Sequence, residues 1–301
     1  MVLTLAKQVL IMFILSGIGF LMFRTKKISQ EGSKSIGNIL IFLSLPCVII
    51  NGFQVERTRE TLTGLGLSAL AAAVILLVCI LVSRLFFKKD PIAGFASAFS
   101  NPGFFGVPLI VSSLAGGAVF YVAAFIAFLN LLQWTYGVAI MTGEKSGLSF
   151  KKVATAPFMI AIVIGLFFFL TGIKMPSMIG SVVSSIAALN TPLAMFTVGI
   201  YLAQTNVPAM IKRGKLYGIS AVRLLIIPAI SLLLLSLVPA SQMDLKLAVL
   251  IAVACPVGSN VAVYAQLHNK DYTYAVETVV ISTLFSIVTI PGVVWLAQQI
   301  W

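Results

Sequence analysis

The stretch "NPGFFGVP", residues 101–108, sits inside a run that is otherwise apolar enough to cross a membrane. Proline removes a backbone donor and clashes with the preceding helical turn, and glycine permits backbone angles that other residues avoid. In hydrocarbon no water is at hand for the freed amides and carbonyls, so protein, enclosed water or a ligand must satisfy them. A second stretch, "CPVGSN" at 255–260, interrupts another apolar run in the same way. Two such breakers separate a plain helical bundle from a membrane protein with a site at its centre.

The composition sets that context. The chain has 301 residues, 60% hydrophobic and 9% charged, with a mean hydropathy of +1.10. A soluble domain carries about 25% charged residues, so this is an integral membrane protein. At roughly 20 apolar residues per span the hydropathy resolves into ten expected spans: 3–23, 33–53, 62–86, 91–113, 117–141, 153–171, 177–203, 215–237, 245–266 and 272–298. The links are short and polar, so one all-α membrane domain accounts for the chain. The apolar run from Val9 to Phe23 is followed by Arg24, Lys26 and Lys27 without a small-residue cleavage site, which reads as a first span rather than a signal peptide.

The net charge of +12 is distributed unevenly. Links 1–2, 3–4, 5–6, 7–8 and 9–10 hold 14 basic residues, among them Lys145, Lys151 and Lys152, against 5 on the other side. By the positive-inside rule the richer side is cytoplasmic. The expectation is a multi-pass protein of the cell (inner) membrane with both termini extracytoplasmic. No run of five basic residues suggests nucleic acid. Cys47, Cys79 and Cys255 all lie in apolar segments, where cysteine behaves as a small hydrophobe; no disulfide or metal site is expected. No G-x-x-x-x-G-K-[ST] loop and no H-E-x-x-H helix is present, so neither ATP drive nor enzymatic activity is expected. His268, the sole histidine, falls in the last link and reads as a solvated loop residue.

Prolines hint at internal symmetry. Pro46 and Pro192 are 146 residues apart, and Pro108 and Pro256 are 148 apart. Near-equal offsets suit five spans followed by five more, and an odd number forces the second copy to insert the other way up. That is a 5+5 inverted repeat, divided here as 1–146 and 147–301, an architecture common among secondary transporters. Broken spans at matching places in such repeats carry the substrate at the midplane. Half-helix N-termini would aim amides at an anion. Asn101 and Asn260 would add side-chain hydrogen bonds. Pro108, with its partner Pro256, is the better candidate for the break itself.

Four stretches carry a resemblance. "NPGFFGVPL" (101–109), "TPLAMFTVGIYLAQ" (191–204), "ACPVGSNVAVYAQ" (254–266) and "STLFSIVTIP" (282–291) resemble the signatures of the auxin efflux carrier family. The resemblance implies ten helices in an inverted repeat, with broken crossover helices 4 and 9 as in bile-acid/sodium symporters. It implies transport of carboxylates, malate and malonate for microbial-type members and auxin-like acids for plant ones. Link 5–6 lacks the long cytoplasmic loop of many plant members, which favours the microbial type. Asn101, Pro108 and Pro256 match family positions, with Gly106 and Gly258 in the same motifs. Asn260 is proposed from its place alone. Asn51 and Thr197 lie on helices that flank the crossover in the family fold. Asn130, with Gln133 near it, aligns with an amide that supports the substrate site in plant carriers.

Ionisable residues within the spans are rare and each invites a role. Arg223 and Glu277 are expected either to pair with each other or to meet a substrate carboxylate. Trp295 and Trp301 read as interfacial anchors. The expected function is alternating-access transport of a small organic anion, with the lipid bilayer as its other partner. A sodium-coupled symporter of the bile-acid type or an anion channel is the alternative. No cofactor is expected; Na+ or H+ coupling and a homodimer stay open.

Overall fold

The computed structural model describes residues 2–114, 117–143 and 155–301. Lys145, Lys151 and Lys152, and the expected 146/147 repeat boundary, lie outside them. Among the described residues the regular structure is helical, apart from a single isolated β-bridge. The helices are α1 (Val2–Arg24), α2 (Gln30–Gly52), α3 (Arg59–Phe87), α4 (Pro91–Ala98), α5 (Pro102–Ser113), α6 (Ala118–Thr142), α7 (Pro157–Thr171), α8 (Ser177–Gln204), α9 (Val207–Ile211), α10 (Gly214–Leu235), α11 (Met243–Ala254), α12 (Asn260–Leu267) and α13 (Tyr272–Ile300). Seven of them, α1, α2, α3, α6, α8, α10 and α13, are long and apolar enough to cross a membrane. The remaining expected spans fall on shorter pieces: α4 with α5, α7, and α11 with α12.

Local chemistry sets the ends. Ser29, Thr58, Asp90, Asn206 and Asp271 each accept a hydrogen bond from a first-turn amide of the helix that follows, the usual remedy for unpaired N-terminal donors. Four helices contain a widened, π-type turn: Leu40–Ser44, Pro102–Gly106, Gln133–Gly137 and Val222–Ile226. Three of these end two residues before a proline, Pro46, Pro108 and Pro228. A proline ring clashes with the carbonyl four residues back and offers no N–H; a wide turn there accommodates both defects without ending the helix.

The packing places α11 at the centre. Residues 245–254 are all buried, against α6, α10 and α13. α1 lies along the second half of α8 with backbones nearly touching: a Cβ on Gly19 would sit 2.5 Å from Phe196 O, and one on Gly199 would overlap Ser16 O. Small residues permit such approach in membranes, where van der Waals contact is the main force between helices. Leu10, Ile14 and Leu21 of α1 and Val163 and Phe167 of α7 are exposed, as lipid-facing residues would be.

Candidate functional site

The two interrupted segments meet at their interruptions. α4 ends at Ala98 and α5 begins at Pro102; α11 ends at Ala254 and α12 begins at Asn260. Between them the chains run antiparallel, with Ser100 bridged to Val257. Asn101 N–H donates to Pro256 O (3.0 Å), and Gly258 N–H donates to Phe99 O (2.9 Å). A third bond, from Val257 N–H to Ser282 Oγ (3.0 Å), ties the second break to α13. Each extended stretch thus satisfies amides of the other, as buried backbone requires.

The break lies at Asn101, earlier than Pro108 suggested. Pro102 occupies the first position of α5, where its missing N–H costs nothing. Pro108 lies a turn and a half inside the helix, where its effect is the widened turn before it.

A cavity of about 390 Å3 opens beside this junction, lined by Ser100, Asn101, Pro102, Gly103 and Phe104 from one break and Gly258, Ser259 and Asn260 from the other. Asn130, Gln133 and Trp134 of α6, Leu45 of α2, Pro157 of α7 and Tyr264 of α12 add to the wall, and among the described residues no ionisable acid or base apart from this tyrosine lines it. The N–H groups of Gly103, Phe104, Ser259 and Asn260, at the starts of α5 and α12, make no hydrogen bond among the described residues. Helix starts leave such donors free and carry positive dipole ends. Asn260 Nδ2 donates to Gln133 Oε1 (2.7 Å). Buried Gln133 Nε2, Ser100 Oγ and Tyr264 Oη find no partner among the described residues.

The sequence-derived candidates divide. Asn101, Gly258, Asn260, Asn130 and Gln133 share this cavity, although Asn130 Nδ2 is bonded to Ile126 O of its own helix (2.8 Å). Asn51 and Pro108 line a second cavity of about 380 Å3 with Ser112, Ser184, Asn190 and Thr191. Gly106 packs where α5 meets the second break, a Cβ there lying 3.0 Å from Cys255 Sγ. Pro256 contributes its carbonyl to Asn101. Thr197 donates to Leu193 O in its own helix (2.9 Å) and lines neither cavity.

Arg223 and Glu277 do not pair. Glu277 is bound by Arg213 (2.7 Å), the sole ion pair among the described residues. Arg223 is fully buried and donates to three backbone carbonyls, Ser97 O (3.1 Å), Ala98 O (3.0 Å) and Val253 O. Trp295 is half exposed, whereas Trp301 Nε1 donates to Ser236 Oγ (2.8 Å) and its ring carries the Lys246 ammonium at 4.2 Å.

Sequence reasoning missed Asn190, which is buried, donates from Nδ2 to Gly103 O (3.0 Å) and leaves Oδ1 without a partner among the described residues. It joins the wall of the second cavity to the first break. An amide immediately before "TPLAMF" was the available signal. Tyr264 and Ser100 gave no such signal, since both residue types are common in apolar helices.

Sequence comparisons place the chain among membrane transporters. The profile of the family described as "Membrane transport protein" matches residues 4–294. The chain is 26% identical to a "Putative malonate transporter" of Rhizobium meliloti (strain 1021), over 94% of this chain and 93% of the relative. It is 24% identical to an uncharacterized transporter of Methanocaldococcus jannaschii, over 94% and 95% of the two chains. With that match spanning nearly all its residues, the chain belongs to the membrane transport protein family of auxin efflux carriers, a multi-pass transporter and not an enzyme.

Proposed function

We propose that the chain is a secondary carrier of small dicarboxylates, malonate in the first instance, which bind in the cavity between the two breaks. The observation that carries this reading is the convergence of donors: four backbone N–H groups from two helix starts without a partner among the described residues, with the amides of Asn101 and Asn260, around a space that no carboxylate among the described residues lines. Such a wall favours an anion through dipoles and hydrogen bonds alone. A volume of about 390 Å3 accommodates a three- or four-carbon diacid. The name of the Rhizobium relative supports malonate as the first substrate to test.

The fold supports a 5+5 inverted repeat, α1 to α6 followed by α7 to α13, with the two broken segments as its crossover. The antiparallel contact at the breaks is what such a repeat would produce. In this reading α2 and α8, whose residues line both cavities or join them, move relative to the crossover. The first cavity opens toward the basic, cytoplasmic links and the second toward the opposite side. Leu45, Gly103 and Asn190 lie between them.

The test is malonate binding by calorimetry to the purified chain and to Asn101→Ala. Loss of one charge-assisted hydrogen bond costs about 1.5–3 kcal/mol, so binding is expected to weaken by roughly ten- to hundredfold. Unchanged affinity in Asn101→Ala would remove this cavity as the site. Saturable counterflow in proteoliposomes, expected here, separates a carrier from a channel.

A further inference from the structure

A buried arginine without a carboxylate is expensive in a membrane, so its surroundings must explain it. Arg223 is 0% exposed and lies in the widened turn of α10. Its three acceptors are not scattered. Ser97 O and Ala98 O belong to the last turn of α4, and Val253 O to the last turn of α11. These are the carbonyls that a helix C-terminus leaves unpaired. They also form the negative ends of the two half-helix dipoles. The junction therefore separates its charges: two positive helix starts face the cavity, and two negative helix ends converge on one cation.

Half-helix C-terminal ends and unwound carbonyls are the groups with which broken-helix transporters hold a coupling cation. Here a guanidinium fixed to the chain occupies that place. Its planar fork can bond several carbonyls at once, and it stays charged at every working pH.

We infer that Arg223 is a tethered cation: it fills the place at the half-helix C-termini that an inorganic coupling ion would take, and its fixed charge belongs to the field that holds the substrate anion. Arg223 acts as a positioning residue, since it touches the helix ends and not the cavity. Without it the carbonyl ends of α4 and α11 repel each other and disfavour an anion nearby. With it no sodium ion is needed at this junction. This inference rests on the carrier reading above.

The experiment follows thermal unfolding of the full chain in detergent, for the wild type and for Arg223→Ala, Arg223→Gln and Arg223→Lys. Salts are choline, sodium or guanidinium chloride at millimolar concentration and constant ionic strength, and malonate is the anion probe. The wild-type midpoint is expected to be the same in all three salts. Arg223→Ala is expected to unfold earlier in choline and to regain stability saturably with guanidinium. Arg223→Gln keeps donors for the carbonyls without charge and is expected to bind malonate about tenfold more weakly, whereas Arg223→Lys keeps the charge and binds within about threefold of the wild type. A sodium-dependent rise in the wild-type midpoint would overturn the inference. So would guanidinium acting on Arg223→Ala no better than choline, or Arg223→Gln binding malonate as the wild type does. Should Arg223→Ala not fold, the contrast between Arg223→Gln and Arg223→Lys decides. A wild type that ignores malonate would sink the dicarboxylate reading, while the guanidinium comparison would still judge the tethered cation.

Discussion

Gly258 stands where two backbones pass too closely for a side chain. A Cβ there would lie 2.8 Å from Ser100 O and 3.3 Å from Phe99 O. Its N–H is bonded to Phe99 O, so the neighbouring strand cannot slide aside without losing that bond. Overpacking a fixed contact costs about 1–3 kcal/mol, and the available relief is separation of the two breaks. Gly258→Ala is therefore expected to lower the unfolding midpoint by several degrees and to abolish the malonate-induced stabilisation; differential scanning fluorimetry with and without malonate reads both. Retention of the malonate effect would show that the contact is dispensable for the site. Asn101 and Asn260 were legible in the sequence because an amide beside a breaker in an apolar run stands out energetically. The roles of Arg223 and Asn190 were not, because each depends on carbonyls of other segments, 30, 125 and 126 residues away in one case and 87 in the other. Spacing along a single helix contains no record of such partners.

At the scale of elements, the breakers in "NPGFFGVP" and "CPVGSN" marked the interruptions, and hydropathy placed the helices. Proline alone misplaced the first break. Pro108 widens a turn inside α5, while Pro102 begins it. The structure distinguishes these cases through what precedes each proline: Pro102 follows the unwound Asn101, and Pro108 follows a full helical turn. The α1–α8 contact is a different kind of feature, legible only once the helices are known to touch. Gly199 faces Ser16 O so closely that a Cβ would overlap it, whereas a Cβ on Gly180, in the other half of α8, meets nothing within 4 Å. The same substitution should then have opposite signs. Gly180→Ala should stabilise by up to about 1 kcal/mol through helix propensity, while Gly199→Ala should destabilise by about 1–3 kcal/mol or more. Thermal midpoints of the two variants in one detergent check the contrast; equal shifts would mean that α1 and α8 do not pack as described.

For the whole molecule, the arrangement of the two cavities makes the strongest demand. Both reach the first broken segment, one through Gly103 and Asn101, the other through Pro108 and Asn190, whose side chain bonds Gly103 O across the gap. If the basic links face the cytoplasm, Ser259 in the first cavity is reached from inside and Ser184 in the second from outside. Cys47, Cys79 and Cys255 are buried, and serine substitution at all three gives a background for single-cysteine labelling. Ser259→Cys is expected to react with a membrane-impermeant maleimide from the cytoplasmic side, and to be protected by malonate. Ser184→Cys is expected to react from the opposite side, at a rate that malonate alters without occupying the cavity, because an anion bound between the breaks shifts the populations of the two access states. Labelling of both cysteines from one side would refute the assignment of the cavities to opposite faces. Labelling from opposite sides without any effect of malonate would leave the vestibules in place and remove the junction between them as the substrate site.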